Sequence, residues 1–153
     1  MQFKEFSHQY WMSKALEVLS TKYSEVPVCA LIVKNNKLVS LATNKMESYQ
    51  DATAHAEILV IREASKVLEN CRLENCTLYV TLEPCSMCAG AVINSRISKL
   101  VFGAYDLRQG ACGSVINLFK EMNKLERIEV IGGILELEAS KTIKKFFLEA
   151  RHA

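Results

Sequence analysis

A chain of 153 residues with 19 basic and 17 acidic side chains, net charge +2, has room for one domain that buries about two-thirds of the surface its unfolded form exposes. The near-neutral balance excludes a protein that coats nucleic acid indiscriminately, so any RNA contact is expected to be local. No apolar run approaches the roughly 18 residues of a membrane span. The N-terminus, Met1-Gln2-Phe3-Lys4-Glu5, lacks the apolar segment of a signal peptide, so the expectation is a cytoplasmic protein with no membrane partner.

From Lys4 to about Thr21, Trp11, Ala15, Val18 and Leu19 recur at helical spacing and predict an opening amphipathic helix. Val28–Val33 and Leu38–Thr43 read as a hairpin around the turn Lys34-Asn35-Asn36-Lys37, followed by a polar loop from Asn44 to Ala52. Thr53 is expected to cap a helix reaching about Glu69, because its side-chain oxygen can accept a free N–H of the first turn. That places His55 and Glu57 in this turn. Cys76–Leu82 is strand-like and Glu83-Pro84 stops it before a helix from Ser86 to about Asn94, whose start Cys85 and Cys88 flank. Strands are expected at Lys99–Gly103 and Arg127–Ile131, a short helical piece near Ser114–Phe119, and a last helix from about Leu137 to Arg151. With six Gly, two Pro and no repeat or low-complexity stretch, the chain offers no linker, so residues 1–153 are expected to form a single domain. The order of elements predicts an α/β fold, a three-layer α/β/α sandwich with a mixed central sheet of about five strands. Ligands of such sheets favour crevices at strand ends, where both motifs fall.

Six cysteines in a chain expected in the cytosol point to metal binding or free thiols rather than disulfides. His55-Ala56-Glu57 followed by Pro84-Cys85-Ser86-Met87-Cys88 has the H-x-E…P-C-x-x-C pattern known for zinc deaminases of nucleobases. Its chemistry follows from the residue types. Two thiolates and one imidazole make a three-ligand set that leaves a tetrahedral position for water, as catalytic zinc sites do. The N–H groups of a helix start favour thiolate at Cys85 and Cys88. Zinc lowers the pKa of water from about 15.7 to near 7, and Glu57 is placed to move protons beside it. A lone Glu in a first turn, or a bare Cys-x-x-Cys, means little; the combination is specific. His8 and His152 are expected to face solvent and not to bind metal.

The residues around these motifs resemble the bacterial tRNA-specific adenosine deaminases of the cytidine deaminase-like superfamily. The likeness runs through Thr53-Ala54-His55-Ala56-Glu57-Ile58, Leu78-Tyr79-Val80-Thr81-Leu82-Glu83-Pro84-Cys85 and Met87-Cys88-Ala89-Gly90-Ala91. It continues in Phe6-Ser7-His8, Tyr10-Trp11-Met12, Val26-Pro27-Val28, Ser95-Arg96-Ile97, Val101-Phe102-Gly103-Ala104, Asp106 and Gly110-Ala111 with Gly113-Ser114, and so covers nearly the whole chain. The resemblance implies hydrolytic deamination of the wobble adenosine in the anticodon loop of an arginine tRNA, by a homodimer with one Zn2+ per subunit. A splayed loop base can enter a pocket without the full cost of opening a duplex. By the same resemblance, Asn44, the Ala56 backbone N–H, Asp106, Val28 and Phe147 contact the substrate, and Lys144, Lys145 and Arg151 of the last helix contact RNA. Asn44 and Asp106 have a purely structural alternative, since both residue types close turns on nearby backbone. Lys141 and Phe146 belong to the same stretch by the resemblance, but Phe146 and Phe147 also fit a helix that simply docks on the core, and a few exposed Lys are ordinary.

Two departures stand out. Cys29 replaces the usual Gly in a strand expected near the pocket, where a small buried thiol packs well, and Ala52 replaces the usual Pro before the Thr-Ala-His stretch. Cys71 and Cys76 lack partners for another metal site, and Cys112 is expected to affect how the loop after Asp106 meets RNA. The metal motif alone leaves open a deaminase of a free base or nucleoside, such as guanine, cytosine or cytidine. A zinc-stabilised RNA-binding module is disfavoured by Glu57 and the open coordination position.

Overall fold

The computed structural model describes residues 2–19, 24–122 and 128–151. The order of elements is α1 (His8–Val18), β1 (Cys29–Lys34), β2 (Lys37–Thr43), α2 (Met46–Tyr49), α3 (Ala56–Val67), β3 (Cys76–Leu82), α4 (Ser86–Asn94), β4 (Lys99–Ala104), α5 (Leu118–Met122), β5 (Glu129–Ile131) and α6 (Glu136–Arg151). The five strands form one mixed sheet in the order β2-β1-β3-β4-β5. β1 runs antiparallel to β2 and β3, while β3, β4 and β5 are parallel.

Alternation along the strands builds two cores. Ala30, Ile32, Leu78, Val80, Leu100 and Phe102 point to the face covered by α3 and α4, against Val60, Ala64, Ala89 and Val92. Cys29, Leu31, Val33, Tyr79 and Val101 point to the other, against Trp11, Met12 and Ala15 of α1. Helix α6 crosses the sheet where β4 has Gly103: a Cβ there would lie 2.8 Å from the Ala139 Cβ and 2.7 Å from the Thr81 carbonyl oxygen. The close approach of helix and sheet therefore requires glycine. These layers give the expected α/β/α sandwich with five strands. Among the described residues, no helix is long and apolar enough to cross a membrane.

The hairpin forms as expected. Asn35 and Asn36 adopt φ of 51° and 58°, the left-handed pair that a two-residue turn matched to strand twist requires. β3 and α4 have the boundaries read from the sequence. The first helix is shorter than expected, starting at His8 because Ser7 accepts the Tyr10 N–H and caps it; its expected end at Thr21 lies outside the described residues, as does Arg127.

Three local expectations are corrected. Thr53 does not cap α3. Its N–H and hydroxyl both donate to Asp51 Oδ1, at 2.8 and 2.7 Å, so the helix starts later, with His55 as N-cap in extended backbone. The stretch Asn44–Ala52 is not all loop, since the Glu25 carboxylate accepts the N–H groups of Glu47 and Ser48 at 3.0 and 2.6 Å and so supports α2. The helical piece expected near Ser114–Phe119 is α5, Leu118–Met122. Ser114 is held elsewhere, and Asn117 Oδ1 accepts the Lys120 N–H instead.

His8 is not a solvent-facing residue either. Its Nδ1 lies 2.9 Å from the Tyr79 hydroxyl, and the residue is half-buried. Burial, and then the nearby Lys99 ammonium, hold its pKa below the ordinary imidazole value. The unfolded chain thus binds more protons than the folded one just below that value, so stability falls as pH drops through about 6.5 toward the depressed folded pKa. The His8→Gln variant is expected to lose this component, and denaturation midpoints measured between pH 5 and 7.5 should be flatter than in the wild type.

Candidate metal centre and substrate pocket

Both motif segments begin helices, and both helices start at the end of the sheet where the parallel strands β3 and β4 finish. Delaying the start of α3 leaves His55 outside the helix proper, and Cys85 is the N-cap of α4, also in extended backbone. Neither cap is closed by a side chain, which leaves both side chains turned to each other. His55 Nδ1 lies 3.6 Å from Cys85 Sγ and 3.5 Å from Cys88 Sγ. All three donor atoms fall within 4.8 Å of one another, the cluster of this kind among the described residues.

These separations test whether a metal fits. A tetrahedral ion with bonds of about 2.0–2.3 Å holds its donors about 3.3–3.8 Å apart, which the two measured sulfur–nitrogen distances match. Two sulfurs and one imidazole suit a divalent ion that favours soft and borderline donors. The electrostatics agree. A hydrogen bond from the Cys88 thiol, and then the His55 ring, bring the Cys85 pKa down to about 4, which favours the thiolate form that ligates metal. The hydrogen bond with Cys85 in turn raises His55. Cys88 is pushed up by sharing its proton with Cys85 and by burial. A cation arriving at the site takes the place of this shared proton.

Glu57 sits one residue into α3 and is only 5% exposed. Burial pushes its pKa up to about 7. Beside it opens a pocket of about 800 Å3, within the usual range for small-molecule sites. Its wall includes Val28, Asn44, His55, Ala56, Glu57, Cys85, Asp106, Lys144, Phe147 and Arg151, so nearly all the residues named from the sequence converge here. Cys88 is fully buried beneath the floor. Lys145 is exposed and does not line the pocket. His152 lies outside the described residues.

Ala56 is the first residue of α3, where backbone N–H groups have no intrahelical acceptor. Asn44 is buried; its Nδ2 donates to the Val26 carbonyl at 3.2 Å and its Oδ1 accepts the Met46 N–H at 3.3 Å. Asp106 Oδ1 accepts the N–H groups of Arg108 and Gln109 at 3.0 and 3.2 Å, closing the turn that carries them to the pocket rim. Each is thus a turn-former that also lines the pocket. Cys29 is a fully buried packing residue, as expected, in the core that includes Trp11, while the adjacent Val28 lines the pocket. Cys112 turns inward, with its thiol near the Pro84 carbonyl rather than toward the rim.

Sequence reasoning missed several contributors, four of which shape the site most visibly. Tyr105, Leu107 and Arg108 complete the rim, and Tyr105 is wedged edge-on against Phe102 with ring centroids 5.2 Å apart. Glu83, read only as a strand stop, is a buried acceptor for the loop after β4. The signal for Glu83 was its place next to Pro84-Cys85; for the rim, its place around Asp106.

Comparison with known proteins sets the class first. Residues 6–151 match the model of the MafB19-like deaminase family. A tRNA-specific adenosine deaminase of Bacillus subtilis (strain 168) is 49% identical over 127 residues, 83% of this chain and 79% of that protein. A structure from a study of A-to-I editing by tRNA:A34 deaminases at the wobble position of transfer RNA superposes with TM-score 0.74 at 37% identity, covering 86% of this chain and 91% of that one. A guanine deaminase from Nitrosomonas europaea superposes with TM-score 0.78 over 92% of this chain and 84% of its own, but at 23% identity the likeness concerns the fold alone. The chain belongs to the MafB19-like deaminase family and, within it, to the tRNA-specific adenosine deaminases.

Removing Cys88, the most buried donor, is expected to take metal binding with it. Cys88→Ala protein purified in parallel with wild type should hold well below one equivalent of metal by elemental analysis, with its secondary structure retained.

Proposed function

We propose that this chain hydrolyses the wobble adenosine of a tRNA anticodon, that of an arginine tRNA, to inosine. It does so in the cytoplasm, as a homodimer of single-domain subunits, with one Zn2+ per subunit held by His55, Cys85 and Cys88. The observation that carries the reading is the convergence of these three donors with the buried Glu57 at a pocket of about 800 Å3, His55, Cys85 and Glu57 lining it and Cys88 buried beneath. Bound there, zinc supplies the Lewis acidity that makes water a nucleophile at neutral pH.

The chain's own residues do the rest. Glu57, with a pKa raised by burial to about 7, takes a proton from the attacking water and gives it to N1 of the purine as the water oxygen joins C6. The second water proton passes through the same carboxylate to the amino group. The C6–N bond breaks, ammonia leaves, and C6 keeps the oxygen as the carbonyl of inosine. The Ala56 N–H, free at the helix start, donates to the base, while Val28 and Phe147 flank it. Asn44 and Asp106 orient the nucleoside from the two sides of the pocket.

Support for an RNA substrate comes from the relatives and from the rim. Exposed Arg108, Lys144 and Arg151 surround the mouth together with the aromatic faces of Tyr105 and Phe147, a combination that holds phosphates and stacks unpaired bases. Lys145, next to Lys144 on α6, is an exposed cation outside the pocket.

The Glu57→Ala variant is expected to keep its full metal content and to lose turnover by a factor on the order of 10²–10⁴, the usual contribution of general acid–base catalysis. The assay is inosine detected by mass on a panel of tRNAs, with free adenosine, cytidine and guanine as competing substrates. Ammonia released from free guanine or cytidine alone, or near-normal turnover by the variant, would contradict the reading.

A further inference from the structure

Glu83 is 2% exposed and lies in the turn between the end of β3 and the ligand Cys85. A carboxylate removed from water to this degree destabilises the fold unless donors surround it. Four do, and all come from one loop. Oε1 accepts the Asp106 N–H at 3.1 Å and the Ser114 hydroxyl; Oε2 accepts the N–H groups of Cys112 and Ser114 at 3.0 and 3.2 Å. Each oxygen is filled by two donors.

The loop is shaped around this group. Gly110 lies so close that a Cβ there would overlap the Glu83 carboxylate. The Ala111 N–H donates to the Pro84 carbonyl at 2.9 Å, one residue from the metal ligand. From the far side, Asp106, anchored to Glu83 through its own N–H, uses its carboxylate to turn Arg108 and Gln109 onto the pocket rim. A single buried side chain thus joins the ligand turn to the segment that borders the substrate.

We propose that Glu83 is a positioning residue for substrate binding: by gathering the backbone of Asp106, Cys112 and Ser114, it sets where the 106–109 rim stands relative to Cys85. The inference rests on the proposed function for the identity of the substrate. It needs no proton transfer by Glu83, whose role is exerted through Asp106 and its neighbours.

The test uses full-length protein with its metal bound. In Glu83→Gln, one of the two oxygens becomes an NH2 group: in the Oε2 position it faces the Cys112 and Ser114 N–H groups and both bonds break, while in the Oε1 position the Asp106 N–H loses its acceptor and the Ser114 hydroxyl turns to accept from the amide. Metal content should equal that of wild type, and at least one of the Asp106, Cys112 and Ser114 amides should exchange hydrogen about tenfold faster. KM for an anticodon stem-loop should rise about tenfold with kcat within about threefold, because the rim binds substrate without taking part in the chemistry. Unchanged exchange at all three amides, or a KM equal to that of wild type, would overturn the proposal. Should Glu83→Gln not fold, Ser114→Ala, which removes only the hydroxyl donor, carries the same test with a smaller rise in KM, and an unchanged KM again counts against it. In a double-mutant cycle, Glu83→Gln and Gly110→Ala should be non-additive in KM, since both displace the same loop. A wild-type protein inactive on tRNA would instead defeat the proposed function, while the exchange rates still decide the tether.

Discussion

The meeting of one imidazole with two sulfurs, at 3.5 and 3.6 Å, is the constraint on which the rest of the molecule depends. It ties the start of α3 to the start of α4, two segments 30 residues apart in the chain. For that contact to form, both helices must start at the same edge of the sheet: β3 delivers α4 there, and the start of α3, which packs on β1 and β2, meets it. The pocket follows as a geometric by-product. Helix starts leave N–H groups without acceptors, so a largely apolar pocket still meets backbone donors at the start of α3.

Burial then divides the labour among the carboxylates. Glu57 and Glu83 are nearly equally hidden, yet their surroundings differ. Glu57 faces thiols and apolar walls, and burial raises its pKa to about 7, where a group both accepts and releases protons. Glu83 is saturated by four donors from one loop and is suited to holding structure. Glu25 repeats that device on the opposite wall, gathering the N–H groups of Glu47 and Ser48 and the Ser48 hydroxyl, and so shaping the segment that follows Asn44. Two loops that border the pocket are each organised by an acidic side chain from another element. Loops tethered in this way can border a binding site without being buried themselves.

The contrast between the two faces of the sheet has a similar origin. Strand alternation sends Cys29 to the α1 side and Val28 to the pocket side, so a one-residue shift separates a packing thiol from a wall of the site. Cys112 likewise turns its sulfur inward, while residues 105–109 of the same loop carry the rim.

Much of this was legible in the residues alone. Dense β-branched and apolar runs bounded by Pro marked β3 and α4, and the turn chemistry of Asn35-Asn36 marked the hairpin, because those signals are local. The trio His55, Cys85 and Cys88 with Glu57 was readable because metal ligation and proton transfer need particular residue types at short spacings. The extended likeness, not the spacing, selected adenosine in tRNA. What only the tertiary structure decided were the interactions made across the chain. Glu25 supporting α2, Asp51 drawing Thr53 away from α3, and Glu83 claiming Ser114 so that α5 starts later are hydrogen bonds whose donors and acceptors compete. Local propensity lists the candidates for such a bond, and the packed chain chooses among them by bringing one acceptor within reach.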